Sequence, residues 1–245
     1  FQLVLRDFRS RYKQTFFGAL WIAGRPLLEL GVFSLVFGKF LQVPTNGVPY
    51  AVFAFSGIVL WSFFSGGISR ATGSVSAHGS LVACAPMPAI AIPVAPLAPS
   101  TIDTLLAAVV LAGFYFAGGG TIGWAAVSLV PIVAILALLV IGFGLLGAAL
   151  HVFYRDVGQL VDVVLRVLLL LTPVAYARTI VPSGYRWLYD INPLVVLFES
   201  ARTALLDGAA PNPASLLYPV AVALVTVLVG TVVFRRTAPL FAETV

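Results

Sequence analysis

The sequence predicts an all-α integral membrane protein of six transmembrane helices, and three observations carry that prediction. Hydrophobic residues make up 60% of the chain and charged residues 9%, with a mean hydropathy of +1.06, far from the balance of a water-soluble domain. Long apolar runs recur between short turns rich in Gly and Pro, and 245 residues hold about six spans of roughly 20 residues each. Cations gather near the first residues and again at Arg235-Arg236, which by the positive-inside rule puts both chain ends in the cytoplasm. Little length remains for a soluble domain, so soluble catalytic work falls to a partner chain. The net charge of +5 therefore reports orientation and does not point to nucleic acid. The single Cys84 excludes an internal disulfide framework and a cysteine-rich metal site. Because the chain begins at Phe1 without a methionine or a signal pattern, some N-terminal residues are expected to be missing.

Residues 1–16 carry Arg6, Arg9, Arg11 and Lys13 against one acid, Asp7. At about 100° per residue, Arg6, Arg9 and Lys13 share one helix face, while Val4, Leu5, Phe8 and Tyr12 share another. That is the pattern of a helix lying in the membrane interface; read only as topology charges, the same cations also place the N-terminus in the cytoplasm. The first span, from about Phe17 to Leu41, carries Arg25 and Glu29 four residues apart, a spacing at which opposite charges lower each other's cost in a bilayer. Either this face borders a wet pathway or Arg25 snorkels to the interface, and Pro26 marks a kink or the start of the lipid-embedded part. A turn over Val43 to Pro49 leads to the second span, from about Tyr50 to Ile68, which Arg70 ends.

Thr72 to Pro96 is rich in Ser, Gly and Pro, and suits neither a clean spanning helix nor a long polar loop. It reads as a short helical elbow at the cytoplasmic surface. The third span, from about Ile92 to Ala117, has Asp103 as its only charge. A Gly-Gly-Gly turn at residues 118–120 precedes the fourth, from about Ile122 to Leu150, whose Gly142, Gly144 and Gly147 allow a neighbouring helix to come close. The charged turn from His151 to Val157 is cytoplasmic by alternation. The fifth span, from about Gly158 to Thr172, carries Asp162 and Arg166 at another i, i+4 spacing. From Pro173 onward, prolines, Gly184 and scattered charges break up the apolar runs, so residues 174–206 read as two short helices on or dipping into the outer face. The last span runs from about Leu216 to Phe234.

Enzymatic patterns are missing from this sequence. Gly38-Lys39 lacks the upstream glycine and the hydroxyl residue of a phosphate loop. His78 and His151 stand apart from any metal-ligand spacing, and no serine or cysteine nucleophile arrangement is present. No catalytic or metal site is expected.

A series of short motifs recurs in order: Arg6-Asp-Phe-Arg-Ser-Arg-Tyr-Lys-Gln-Thr-Phe-Phe-Gly-Ala-Leu-Trp21, Pro26-Leu-Leu28, Val36-Phe-Gly-Lys-Phe40, Val48-Pro-Tyr50, Phe55-Ser-Gly-Ile58, Leu60-Trp-Ser-Phe-Phe-Ser65, Tyr154-Arg-Asp-Val157, Thr172-Pro-Val174 and Asn192-Pro-Leu194. Together they resemble the ABC-2 type permeases that export polysaccharides, of the kind that move O-antigen or teichoic-acid polymers on a lipid carrier. The resemblance covers nearly the whole chain. It implies a bacterial cytoplasmic (inner) membrane permease, homodimeric, paired with a separate nucleotide-binding ATPase subunit that binds ATP and Mg; no cofactor is expected on this chain itself.

The resemblance also assigns regions. Residues 72–91 correspond to a coupling helix docked on the ATPase, with Gly79, Ser80, Leu81, Val82, Pro86 and Pro88 at the contact. Relatives carry a basic residue and an aromatic before the proline of this loop, whereas Leu81-Val-Ala-Cys-Ala-Pro-Met-Pro88 has neither; Arg25 stands where many relatives are neutral. Residues 174–206 correspond to re-entrant helices of an outer gate, with Tyr185, Trp187, Asn192 and Pro193. At the cytoplasmic entrance, Arg9, Arg11, Lys13 and Arg155 are expected to attract the diphosphate of the lipid carrier. Channel candidates are Arg25, Glu29, Phe33, Phe37, Trp61 and Tyr154, the aromatics either stacking on sugar or packing toward lipid. Membrane lipids, a second copy of the chain, the ATPase and lipid-linked polysaccharide are the expected partners. Readings from other classes are an exporter of drugs or small lipids with the same architecture, an ion-coupled secondary flippase without an ATPase, and a membrane-embedded transferase.

Overall fold

The structure, a computed structural model, describes residues 20–40, 42, 45, 48–77 and 89–241, all helix, turn or loop with no strand among them. Helix α1 (Leu20–Phe33) continues as a π-helical turn (Ser34–Phe40), and α2 (Tyr50–Ala77) follows. A short α3 (Ala91–Val94) leads into α4 (Leu97–Ala117), and a 3₁₀ turn (Trp124–Ser128) leads into α5 (Leu129–Phe153). Next come α6 (Val157–Leu170), two 3₁₀ turns (Arg178–Ile180 and Ser183–Tyr185), α7 (Arg186–Ile191) and α8 (Pro193–Leu205). A further 3₁₀ turn (Pro213–Leu216) opens α9 (Leu217–Thr237), and a final one (Ala238–Leu240) follows it.

Among the described residues, four helical stretches are long and apolar enough to cross a membrane: Tyr50–Ala77, Ala91–Ala117, Trp124–Phe153 and Pro213–Leu240. They correspond to the second, third, fourth and last expected spans. The fifth is shorter than its apolar run suggested. Its 14 helical residues rise only about 21 Å at 1.5 Å per residue, against a hydrocarbon core of about 30 Å. The helix stops before Pro173, because the residue preceding a proline is pushed out of the α region. The first expected span divides into the 14-residue α1 and the seven-residue π turn, and α1 runs on through Pro26.

The second span differs in the opposite direction. Helix α2 does not stop at Arg70 but continues to Ala77, because the guanidinium finds partners within the bundle instead of turning out to water. Residues 72–77 thus belong to α2, and the stretch 78–88 between α2 and the turn at Ala89-Ile90 lies outside the described residues.

Helix α2 is the axis of the bundle: most of its side chains from Val52 to Val75 are buried, against α5, α4, α1 and α6. The main core joins Phe55, Ile58 and Phe63 of α2 to Ile132, Leu136 and Leu139 of α5 and to Leu197 and Phe198 of α8. A second cluster lies at the Ala77 end, where Val75, Ile92, Leu145, Phe234 and Phe241 meet. The glycines of α5 have the expected use. A Cβ on Gly144 would stand 2.6 Å from Ala71 Cβ of α2, and one on Gly142 would stand 2.6 Å from the backbone of Thr226 on α9, so α5 accepts a helix on each side where it has no side chain. Outward surfaces of α4 and α9 present Leu105, Val109, Leu224, Val225 and Leu228, as helices facing lipid do. The Gly-Gly-Gly turn also forms, with Gly119 in the left-handed region at φ +81°, where only glycine sits without strain.

Candidate functional site

Two polar clusters interrupt this apolar bundle, one at each half of α2. The first surrounds the Tyr50 end. After α6 stops, the chain turns through Leu171 to Tyr176 and exposes carbonyls that no helix satisfies. Arg202 of α8 reaches them: Nη1 donates to Pro173 O at 2.6 Å and to Tyr176 O at 3.5 Å, while Nη2 donates to Val174 O and to Phe53 O at 3.5 Å. Its guanidinium carbon lies 3.9 Å from the centre of the Phe53 ring, a cation–π arrangement. The side chain is buried, with only 8% of the residue exposed. Burial pushes its pKa down to about 10, with Glu199 and Tyr50 acting the other way, so the group remains a cation at neutral pH.

Other side chains close the same site. Tyr50 OH donates to Ala175 O at 2.8 Å. Asn192 Nδ2 donates to Thr172 Oγ1 at 3.0 Å and to Leu171 O at 3.3 Å, while its Oδ1 accepts from Leu194 N at 3.0 Å and so caps α8. Pro193 then occupies the first turn of α8, where a missing N–H is no loss. Gly57 makes room for the turn: a Cβ there would overlap the Val174 carbonyl oxygen and stand 2.8 Å from Arg202 Nη2. Beyond the turn, Arg178 pairs with Asp190 and, at 3.6 Å, with Glu199. Burial raises the pKa of Glu199, opposed first by Arg178. Tyr176 and Tyr189 share a hydrogen bond; burial first, then that bond, pushes the Tyr176 hydroxyl well above the usual phenol range.

The second cluster lies within the span, two turns from the Ala77 end. Arg70 Nη1 donates to Asp103 Oδ2 of α4 at 3.0 Å, and Nη2 donates to Ser100 Oγ. Both charged side chains are about one quarter exposed, 24% and 26%. One residue earlier, Ser69 Oγ donates to Asp162 Oδ1 of α6 at 2.9 Å. Asp162 and Arg166 are both exposed, and no ion pair joins them among the described residues. With Gln159 they form one polar stripe on α6, while Leu160, Val164 and Val167 form an adjacent exposed apolar one. A charged stripe on an exposed face within a bundle of membrane helices calls for water or a partner beside it.

The residues nominated from sequence fall in several places. Gly79, Ser80, Leu81, Val82, Pro86 and Pro88, and the cations Arg9, Arg11 and Lys13, lie outside the described residues. Arg25 is on α1, but its side chain is outside what is described; Glu29 is half-buried on the same helix. Phe33 and Phe37 are half-buried and tilted against each other at 5.8 Å. Trp61 is buried in the core, 7% exposed and tilted against Phe64. Tyr154 and Arg155 are exposed in the turn between α5 and α6, and Tyr185 and Trp187 are exposed near α7. Asn192 and Pro193 join the first cluster. Sequence reading singled out neither Arg202 nor Phe53, although three of the quoted motifs, at 55–58, 172–174 and 192–194, converge around them.

The decisive comparison is with the family model described as ABC-2 type transporter, which matches residues 1–206. The chain belongs to the ABC-2 type transporter family. Both polar clusters fall within the matched part of this ABC-2 chain. Similar proteins include an O-antigen export system permease protein, RfbA, from Klebsiella pneumoniae, 25% identical over 240 residues, covering 97% of this chain and 91% of that protein. The RfbA of Myxococcus xanthus is 25% identical over 246 residues, covering 99% and 94%. The polysialic acid transport protein KpsM of Escherichia coli is 25% identical over 243 residues, covering 95% and 91%.

Proposed function

We propose that the chain is the permease subunit of an ATP-driven exporter that moves lipid-linked polysaccharide, of O-antigen or teichoic-acid type, across the bacterial cytoplasmic membrane. The observation that carries this reading is similarity over nearly the full length to permeases named for O-antigen export and for polysialic acid transport. ATP and Mg are bound, in this reading, by a separate nucleotide-binding subunit, which is consistent with the lack of phosphate-loop residues in the sequence. In this reading two copies of the chain form the conduit. The first and fifth apolar runs, represented by α1 with its π turn and by α6, complete six membrane segments per copy, and both termini are cytoplasmic. Gln159, Asp162 and Arg166 on α6 then face the water-filled path, for which the exposure of their charges in a membrane bundle is the support. Residues 1–16 act as an interfacial helix whose Arg9, Arg11 and Lys13, with Arg155, meet the carrier diphosphate. The part of the elbow beyond α2, residues 78–91, receives the ATPase, and residues 174–206 form the outer gate.

Binding of ATP would close the ATPase subunits, displace the elbows and open the conduit, a change that requires contacts differing between two states. The test is transport by the permease reconstituted with its cognate nucleotide-binding subunit in vesicles holding defined lipid-linked glycans. Expected are glycan-stimulated ATP hydrolysis and ATP-dependent appearance of polymer on the far side. Transport driven by an ion gradient without the ATPase would overturn this reading, as would ATP-driven export of drugs or small lipids with no response to glycan.

A further inference from the structure

Helix α2 links the two regions that the transport reading requires to move together. Its Ala77 end leads directly into the stretch read as the ATPase elbow, and its Tyr50 end carries the Arg202 cluster. Twenty-eight residues give a rod of about 42 Å, buried along most of its length. What happens at the Tyr50 end therefore decides whether a displacement of the rod is passed on.

The Arg202 contact has the chemistry of a latch and not of a charge pair. Its hydrogen-bond acceptors are four backbone carbonyls, three from the turn 173–176 and one, Phe53 O, from α2. One face of the guanidinium lies on the Phe53 ring, again of α2. Gly57, one helical turn further along α2, leaves the notch into which the Val174 carbonyl fits. A flat fork with donors on two nitrogens can hold two parts of the backbone at once, and an ammonium, as a point charge on a flexible stem, does so poorly. Asn192 then ties the same turn to the start of α8, so the segment from Leu171 to Asn192 is closed into a loop anchored on α2.

We infer that Arg202 is a positioning residue that makes α2 and the turn 171–176 move as one body, so that displacement entering α2 at its Ala77 end reaches the segment 178–191. This rests on the transport reading above. The role belongs to backbone geometry, since each acceptor is a main-chain carbonyl whose direction is set by the fold.

The experiment uses the permease assembled with its nucleotide-binding subunit in lipid nanodiscs, with Cys84→Ser as background. An environment-sensitive thiol fluorophore is placed on either Ser76→Cys, exposed at the Ala77 end, or Ser183→Cys, exposed in the far segment. With Arg202 intact, a non-hydrolysable ATP analogue shifts the emission of both labels. In Arg202→Lys the shift at position 76 is retained and the shift at position 183 shrinks about threefold or more. Should Arg202→Lys fail to assemble, Phe53→Leu removes the ring beneath the guanidinium and is read in the same way. A full shift at 183 in the variant, with Arg202-intact protein responding at both labels, overturns the latch while leaving the transport reading standing. No nucleotide response at either label with Arg202 intact overturns both.

Discussion

The guanidinium of Arg202 lies 3.9 Å from the centre of the Phe53 ring, across 149 positions of sequence. The ring supplies an electron-rich face in a site from which water is largely excluded, where such a contact is worth about 0.5–2 kcal/mol. Phe53→Leu and Arg202→Lys, alone and combined, form a double-mutant cycle. The expected coupling energy is about 1 kcal/mol or more, because the two side chains are in direct contact. Detergent-titration unfolding of the purified permease measures it, and strictly additive effects would remove the cation–π contact from the account.

Gly57 bears on the same site from the opposite side. A methyl group there must displace the Val174 carbonyl or the Arg202 fork, both of which are held by directed hydrogen bonds. Gly57→Ala would normally stabilise a helix by nearly 1 kcal/mol; here it is expected to destabilise by about 1–3 kcal/mol through overpacking. The same unfolding titration gives the sign. A stabilised Gly57→Ala protein would mean that the turn at 171–176 has room to retreat.

The pair formed by Arg70 and Asp103 is only one quarter exposed on each side, so removing one partner leaves a charge with little water to receive it. Asp103→Leu is expected to cost about 2–4 kcal/mol, at the lower side of the range for fully buried pairs. The double variant Arg70→Met with Asp103→Leu should recover most of that loss, since apolar replacements of a whole ion pair are often neutral. Stability of the single and double variants in one detergent tests this, and a double variant as weak as the single one would show that Arg70 is held mainly by other partners.

The spans were legible because a run of about 20 apolar residues has few alternatives, and α2, α4, α5 and α9 lie close to where such runs occur. Their ends were less legible. Arg70 looked like a stop because the sequence does not show that Asp103, 33 positions later, meets it. The length of α6 was hidden by apolar residues that run on past the helix end into the turn before Pro173. At the Tyr50 end, the motifs at Phe55 to Ile58, Thr172 to Val174 and Asn192 to Leu194 were visible one by one, and Asn192-Pro193 announces a helix start. Their convergence was not visible, because it depends on backbone carbonyls, which have no letter in a sequence. Arg202 appears there as one more cation in a broken stretch, and only its burial sets it apart.

Glu199 provides a pH signature for the segment beyond that turn. Burial raises its pKa above the ordinary Glu value, against the pull of Arg178 and Arg202 and with a small push from Asp190. The folded protein therefore takes up a proton at a pH where the unfolded chain has not yet done so. The contribution is fully present below the ordinary Glu pKa and is lost as pH rises through the raised value. As pH falls from neutral toward the ordinary Glu pKa, the wild-type protein should thus gain thermal stability relative to Glu199→Gln, which cannot titrate. Melting curves of both proteins across that range in one detergent measure the difference, which isolates Glu199 from the other acids. Parallel curves would show that the Arg178 pair cancels the effect of burial, and a wild-type protein that loses stability relative to the variant on acidification would show that the pair outweighs it.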